Sequence, residues 1–240
     1  DLMVNNLVVE GELTIGHTIN ISVDVVNVGN WTANPCELVF YINDNLVYAC
    51  SIESLSPGRV IQKIITHRFI TGGLQTLSVK VDVNDAIDEW DENNNIIESN
   101  MYIKKVDLEI EKETIKFSVS HPVIGDNIEI TAIIRNNGET PLNHVMLRFY
   151  DGDPFSDGVQ ITPDINIDSI QSDEIYIAKI NWSNSTIGCH TIYVVVDPLN
   201  LIVEDNESNN AAQAEIIIHQ NPDVLISRNI TIFPSKNITE

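Results

Sequence analysis

The chain has few basic residues, and this scarcity limits the partners it can bind. Of its 240 residues, 13 are Lys or Arg and 35 are Asp or Glu, which gives a formal net charge of −22. A surface that binds nucleic acid or anionic lipid needs clustered Lys and Arg to displace the counterions of the phosphates. Because no such cluster occurs, the sequence argues against nucleic acid and against anionic membranes as partners.

Long apolar runs are also missing. No stretch of about 18 apolar residues occurs, so the sequence predicts no transmembrane helix and no direct membrane insertion in this segment. The first residues do not resemble a signal peptide either. With 43% hydrophobic residues, the chain has room for one large core or for two cores of about 100 residues each. We expect two domains that form part of a longer protein.

Sequence motifs for catalysis are absent. The chain contains no G-x-S-x-G, no H-E-x-x-H and no glycine-rich phosphate loop, and its six histidines are scattered singly. The sequence therefore predicts a protein that is not an enzyme, with no catalytic residues. No cofactor is predicted other than a candidate calcium ion.

Only three cysteines are present. Cys36 and Cys50 flank a predicted hairpin. They can form a disulfide if the turn has a three-residue form, whereas a two-residue turn places them on opposite faces of the hairpin. Both alternatives stay open. Cys189 has no partner nearby, and we expect it to be a free thiol.

The dominant positive feature is an internal repeat. "GHTINISVDVVNVGN" from Gly16 matches "GDNIEITAIIRNNGE" from Gly125, and "GLQTLSVKVD" (73–82) matches "GCHTIYVVVD" (188–197). A repeat of about 110 residues has the size of one sandwich domain. We expect copy one at residues 1–104, copy two at residues 105–220, and the first strand of a truncated third copy at residues 221–240.

Each copy has the hydrophobic pattern of consecutive strands. Apolar and polar residues alternate with period two, and Asn43-Asp44 is typical of a hairpin turn. In copy one the predicted strands are near 2–9, 18–28, 36–42, 46–53, 60–69, 74–82 and 95–103. The fold class is therefore predicted to be all-β, as tandem seven-stranded sandwiches of the immunoglobulin or fibronectin type III kind. The expected core rows are Leu77, Val79 and Val81 in copy one and Ile192, Val194 and Val196 in copy two.

An acidic, asparagine-rich octet occurs twice, as "DEWDENNN" (88–95) and "VEDNESNN" (203–210). One interpretation is structural: the asparagines suit a turn, the carboxylates accept backbone N–H groups, and Ile87 and Ile202 fill the sandwich end beneath the loop. The other is calcium, a hard cation that takes six to eight oxygen ligands. The candidate ligands are Asp82, Asp85, Glu89 and Glu92 in copy one, and Asp197, Glu204 and Glu207 in copy two.

Copy two has a second acidic loop, "DGDPFSDG" (151–158). Asp151, Asp153 and Asp157 are candidate calcium ligands there, and the glycines allow tight turns. The alternative is a solvated hairpin tip in which Pro154 sets one turn.

Candidate glycosylation sites are more frequent than chance predicts. The N-x-[ST] sequon occurs at Asn20, Asn30, Asn181, Asn184, Asn206, Asn229 and Asn237. This excess agrees with an exported protein.

The combined motifs resemble a known family. G-x-x-[IV]-x-[IV] leads into N-x-G, followed by F-Y at a hairpin, "G…VxVD" and "ExxExNN". This order is similar to the CARDB repeat, a cell-adhesion-related extracellular domain of bacteria and archaea. The resemblance covers both copies and is closer in copy two, because copy one lacks the "DGDP" insertion. It implies a non-enzymatic module, repeated and fused to other domains.

The function expected from this resemblance is structural. An extracellular or cell-surface array would act as a spacer and a scaffold for protein interactions. Its partners would be neighbouring repeats, other surface proteins, or further copies through strand addition. The alternative is a calcium- or glycan-binding accessory module of a secreted enzyme. A glycan reader is favoured by clustered exposed aromatics, but Trp31, Trp90 and Trp182 are far apart in sequence.

Two expectations concern the ends of the copies. The junction "YIKKVDLEI" (102–110) contains no Pro, Gly or Ser, so we expect it to restrict hinge motion. In the tail, Val224, Ile226, Ile230 or Ile232 should pack against copy two or add to a sheet edge of a neighbouring molecule.

Overall fold

A computed structural model describes residues 1–183 and 186–221, and their regular structure consists of β-strands and short 3-10 helices. The strands of copy one are β1 (Leu2–Glu10), β2 (Thr18–Asn27), β3 (Cys36–Ile42), β4 (Asn45–Ile52), β5 (Val60–Arg68), β6 (Gly73–Val81) and β7 (Ile96–Ile103). Those of copy two are β8 (Leu108–Ile110), β9 (Lys116–Phe117), β10 (Ile128–Asn136), β11 (Leu142–Asp151), β12 (Val159–Gln160), β13 (Ile165–Ile170), β14 (Ile175–Trp182), β15 (Gly188–Val196) and β16 (Ala211–Ile218). The 3-10 helices are Glu92–Asn95, Lys112–Thr114 and Glu207–Asn209. The predicted all-β class is confirmed.

Each copy contains two antiparallel sheets. In copy one, β1-β2-β5 forms one sheet and β4-β3-β6-β7 the other. In copy two, β10 lies between β14 and the pair β8 and β9, while β12 and β13 both pair with β11 in the sheet that continues through β15 to β16. Among the described residues, no sheet contains strands of both copies. The predicted seven-stranded sandwich is confirmed in copy one, and copy two has the same plan with two strands divided.

The alternating sequence pattern decides which side chains are buried. Along β2 every second residue from Ile19 to Asn27 is buried, and along β10 every second residue from Ile128 to Asn136. Successive side chains of a strand point to opposite faces, so one face of each strand lies between the sheets. This is why each predicted strand of copy one agrees with an observed one to within a residue at either end.

The buried apolar residues form two separate cores, one in each copy. Phe40 is fully buried in the first core and Phe149 in the second. The predicted core rows are confirmed, since these six residues have no exposed surface: Leu77, Val79, Val81, Ile192, Val194 and Val196. Burying such side chains contributes roughly 25 cal/mol for each Å² of apolar surface removed from water.

A buried asparagine ends the second strand of each copy and explains the N-x-G motif. The Asn27 side chain donates to the carbonyls of Trp31 (2.8 Å) and Leu55 (2.6 Å) and accepts from Gly29 N–H (3.0 Å). In copy two, Asn136 makes the equivalent bonds to Thr140, Ile170 and Gly138. These bonds satisfy backbone groups that the turn would otherwise leave unpaired in a buried position.

The hairpin of copy one turns at Asn43-Asp44, as the sequence predicts. Both residues have positive φ values of 48° and 62°, and Ile42 pairs with Asn45. This is the two-residue hairpin geometry that suits the twist of the strands.

Among residues 1–183 and 186–221, no helix is long and apolar enough to cross a membrane. The predicted packing of Val224, Ile226, Ile230 and Ile232, like the third copy itself, lies outside the described residues.

Candidate functional site

The loop between β6 and β7 of copy one is organised by a buried aspartate at its start. Asp82 has 3% exposure and a φ of 50°, and its carboxylate accepts from the N–H groups of Ala86 (3.2 Å) and Ile87 (2.9 Å). Asp85 also has a positive φ of 52°, and its N–H donates to the Asp82 carbonyl. Both aspartates therefore shape the turn, because Asp and Asn tolerate left-handed backbone angles better than most residues.

The octet closes the same loop with two glutamates and an asparagine. Glu92 accepts from the N–H of Glu89 at 3.1 Å. The Asn95 amide donates to Glu89 (3.1 Å) and to Glu92 (3.0 Å). Glu89 also accepts from the N–H of Leu2 at the start of β1. The octet thus fastens the long loop to the first strand of its own sandwich.

Copy two repeats this arrangement residue by residue. Asp197 accepts from the N–H groups of Leu201 (3.1 Å) and Ile202 (2.7 Å). Glu207 accepts from Glu204 N–H (3.0 Å), the Asn210 amide donates to both glutamates, and Glu204 accepts from Leu108 N–H on β8. Ile87 and Ile202 are partly buried against the cores, as the structural interpretation expects.

Burial changes the proton affinity of one of these glutamates. It raises the pKa of the Glu204 carboxyl from 4.5 to about 7. Hydrogen bonds from Leu108 and Asn210 oppose the rise in this pKa, whereas the nearby carboxylates of Glu207 and Asp197 add to it.

The structure does not assemble the candidate calcium ligands into a metal site. Within the described ranges 1–183 and 186–221, no group of three or more His, Cys, Asp or Glu side chains is placed to hold a metal ion. The carboxylates of Asp82, Glu89, Asp197 and Glu204 are occupied by N–H donors of the protein. Satisfied carboxylates of this kind need no cation, and the geometry favours the structural interpretation of the octets.

The three aspartates of the acidic loop in copy two, residues 151–158, do not come together at one site either. Asp151 lies 2.8 Å from Nδ1 of His190, a buried ring that packs edge-on against Trp182. Asp153 accepts from the N–H of Phe155 (2.9 Å), which closes a turn within the loop itself. Asp151 and Asp153 thus serve different local contacts, and Asp157 joins neither of them in a metal-binding group.

Calcium should therefore leave the thermal stability almost unchanged. We expect the melting temperature of the chain to shift by less than about 2 °C between excess calcium and excess chelator, since a ligand stabilises only the state that binds it. The Glu89→Gln, Glu92→Gln double variant should melt lower by the same amount in both conditions, through lost hydrogen bonds. A large calcium-dependent rise in the wild type that the double variant lacks would establish a calcium site.

Of the two alternatives left open for Cys36 and Cys50, the structure has the free thiols. The turn has two residues, but the register shifts between Phe40 and Tyr41. Cys36 consequently pairs with Ile52, and Cys50 pairs with Leu38. Because of this register shift, the two cysteines lie on the same face of the hairpin but are not directly opposite each other. The turn length alone predicts the facing of residues only in a hairpin of regular register.

Thiol labelling tests this assignment. In denaturant without reductant, a thiol reagent should react with all three cysteines. A disulfide between Cys36 and Cys50 would leave only one reactive thiol. In the folded protein, burial raises the pKa of the Cys36 thiol to about 11. Since the thiolate is the reactive form, labelling of Cys36 at pH 8 should be about 100-fold slower than that of a thiol with a pKa of about 9. The exposed Cys189 provides the internal comparison.

The two copies contact each other through the loops that follow β10 and β15. Glu139 accepts from the Tyr102 hydroxyl of copy one (3.0 Å) and from the N–H of Lys105, the first residue of copy two (2.8 Å). Asp205 accepts from Gly72 N–H (2.9 Å) and lies 3.6 Å from Lys105 Nζ.

Apolar side chains complete this contact. Leu142, Ile202 and Val203 of copy two pack against the buried cluster formed by the core of copy one together with Val106. A Cβ on Gly16 would lie 3.2 Å from Val203. The octet loop of copy two thus closes its own sandwich and also contacts the preceding one, a role that its composition does not indicate.

Two tryptophans meet in a cleft at the opposite end of copy one. Trp31 (86% exposed) and Trp90 (95% exposed) both line a cavity of about 640 Å³, which we call the tryptophan cleft. Its lining includes Asp1, Asn30 and Asp88. The sequence separates these tryptophans by 59 positions, and only the folding of two loops to the same end of the sandwich reveals the pair. Trp182 is buried elsewhere.

Four candidate glycosylation sites lie on the surface of the described structure: Asn20, Asn30, Asn181 and Asn206. Asn184, Asn229 and Asn237 lie outside the described residues. Glycosylation at all seven sites stays a prediction.

Comparisons with known proteins agree with the division of the chain into two similar sandwiches. The model of the CARDB family matches residues 1–99 and 105–214. The chain is similar to the CARDB domain of a Pyrococcus furiosus protein solved in complex with di-metal ions, with 22% identity, a TM-score of 0.43, and coverage of 50% of this chain and 100% of that domain. It is also similar to a domain from Methanosarcina acetivorans, with 22% identity, a TM-score of 0.36, and coverage of 47% of this chain and 93% of that one.

A structure from Geobacter metallireducens has 24% identity and a TM-score of 0.39, and the match covers 46% of this chain and 96% of that one. No curated protein matches the chain. The two segments matched by the family model span most of the chain and correspond to the two sandwiches, so the chain belongs to the CARDB family.

Proposed function

We propose that the chain is a non-enzymatic extracellular module, a pair of repeats that spaces a cell-surface protein and holds its repeats at a fixed mutual orientation. One observation carries this proposal: in copy two, Glu139 accepts a hydrogen bond from the Tyr102 hydroxyl of copy one, and Asp205 accepts one from the Gly72 N–H of copy one. A spacer needs such contacts, because separate sandwiches joined by a bare linker would reorient freely.

The placement of the conspicuous carboxylates supports a structural role. Those of both octets are engaged by N–H donors at the ends of the sandwiches. A carboxylate that acts as a general base needs a substrate proton within hydrogen-bond reach, and these groups are already committed to the fold. Family membership also favours a module that works as part of a larger surface protein.

A surface location is supported by the exposed sequons. Antibodies raised against the 240-residue chain should label intact cells of its source organism as strongly as permeabilised cells. Labelling that appears only after permeabilisation would contradict the proposal. In a separate experiment, mass spectrometry of the native protein tests whether Asn20, Asn181 or Asn206 carries a glycan.

A further inference from the structure

The tryptophan cleft has a counterpart in copy two. Trp31 and Thr140 hold equivalent positions, because their carbonyls accept the same bond from Asn27 and Asn136 respectively. Trp90 likewise corresponds to Asp205, because each is the residue directly after the glutamate that fastens the octet to the first strand.

In copy two, this equivalent surface is covered by copy one. Asp205 accepts from Gly72 N–H, and Glu139, the counterpart of Asn30, accepts from the Tyr102 hydroxyl. Val203, the counterpart of Asp88, packs against the buried cluster formed by the core of copy one together with Val106. Both loops that form the cleft in copy one therefore form an interface in copy two.

The same surface of copy one is open. Trp31 is 86% exposed, whereas its counterpart Thr140 is 8% exposed. Trp90 is the most exposed large hydrophobic residue in the described structure. Neither indole contributes to the buried core of its own sandwich, so the fold of copy one gives no reason for two tryptophans at these positions.

We propose that the tryptophan cleft is a docking surface for the end of another β-sandwich repeat, built like the end of copy one that contacts copy two. This inference rests on the proposed function, since it extends the observed contact between copies to a second contact of the same kind. Exposed apolar surfaces mark interaction sites, and tryptophan is enriched among the residues that dominate binding.

The side chains that line the tryptophan cleft complement the end of copy one that contacts copy two. The end of copy one that contacts copy two presents Gly16 and Gly72, and Lys105, the residue directly after copy one, lies beside Gly72. Glycines let a flat indole approach the backbone closely, and a lysine ammonium is attracted to the face of a tryptophan ring. In a chain that continues before Asp1, a peptide bond replaces the terminal ammonium group, and the carboxylates of Asp1 and Asp88 then add negative charge to the lining of the cleft that complements that lysine.

A chain extended at its amino end tests the inference. A second copy of residues 1–106 is placed before Asp1, so that Val106 precedes Asp1 as it precedes Asp107 in the natural sequence. The added segment carries Trp31→Phe and Trp90→Phe, so that the exposed tryptophans all belong to the original chain. We expect acrylamide quenching of tryptophan fluorescence to fall about threefold relative to the unextended chain, because docking excludes water from central aromatic residues. Unchanged quenching in a folded extended chain would overturn the inference.

Two controls make the result specific. Lys105→Glu in the added segment should restore much of the quenching, since it removes the cation that faces the cleft. In the natural chain, Trp31→Ala with Trp90→Ala should shift the melting temperature by less than about 2 °C, because exposed side chains contribute little to stability. A large fall would show that the tryptophans stabilise their own copy and would count against docking.

The two exposed tryptophans that share the cleft are also the feature expected of a glycan reader, so a glycan is the competing occupant, and a calorimetric titration of the natural chain with soluble oligosaccharides tests it. We expect no heat of binding. Binding that the double alanine variant loses would assign the cleft to glycans and overturn the docking proposal. The proposed function depends on the contact between copy one and copy two, which these experiments leave unchanged. That contact can be present whether or not the tryptophan cleft docks another repeat.

Discussion

Replacing Asp197 with alanine is expected to lower the free energy of unfolding by about 3 kcal/mol. Two backbone N–H groups, of Leu201 and Ile202, lose their carboxylate acceptor, and hydrogen bonds to charged groups contribute roughly 1.5–3 kcal/mol each. The φ of 44° at this position adds strain for alanine. Urea denaturation followed by circular dichroism measures the loss.

Asp82 is the matched control, because it makes the same two bonds in copy one. Asp82→Ala should cost a similar free energy. Only Asp197→Ala, however, should speed amide exchange at Gly72, because only the loop of copy two contacts the other copy there. Asp197→Asn keeps the tolerance for a positive φ and should lose about half as much stability. Full stability in both alanine variants would show that these aspartates do not hold the loops.

Stability is expected to fall as the pH rises from 5 to 8, by up to about 3 kcal/mol from Glu204 alone. Burial raises the pKa of this carboxyl to about 7 in the folded protein, from 4.5. The folded state therefore binds the proton more tightly than the unfolded state. Its contribution is fully present below pH 4.5 and is lost as the pH rises through 7.

Glu204→Gln isolates this contribution. The amide keeps the shape of the side chain and an oxygen for the Leu108 N–H, but it cannot ionise. Denaturation midpoints of this variant should change much less between pH 5 and pH 8. Glu89→Gln, at the equivalent position of copy one, should keep the pH dependence that Glu204 causes. An identical pH dependence of stability in Glu204→Gln and in the wild type would show that Glu204 does not cause it.

The sequence predicts the strands well because their signal is local. Alternation along β2 and β10 follows from a sheet with one buried face, and Asn43-Asp44 specifies its turn through residues that accept positive φ values. The repeat itself predicts that whatever forms in copy one also forms in copy two.

Functions of individual side chains were harder to predict because their partners come from distant parts of the chain. The octet has the composition of a cation site, yet its carboxylates bind backbone groups such as Leu108 N–H, 96 positions from Glu204. One register shift within the β3–β4 hairpin changed the placement of Cys36 and Cys50. Trp31 and Trp90 lie on different loops, and no local pattern indicates that they share a cleft.

We propose that the loops of Glu139 and Asp205 hold the two copies together as one rigid unit. Residual dipolar couplings of the backbone amides of the natural chain report the relative orientation of the two copies. We expect the couplings of both copies to fit a single alignment tensor, and Glu139→Ala with Asp205→Ala to require two. Separate tensors for the two copies of the unmodified chain would show that the copies reorient independently, which the proposed function does not allow.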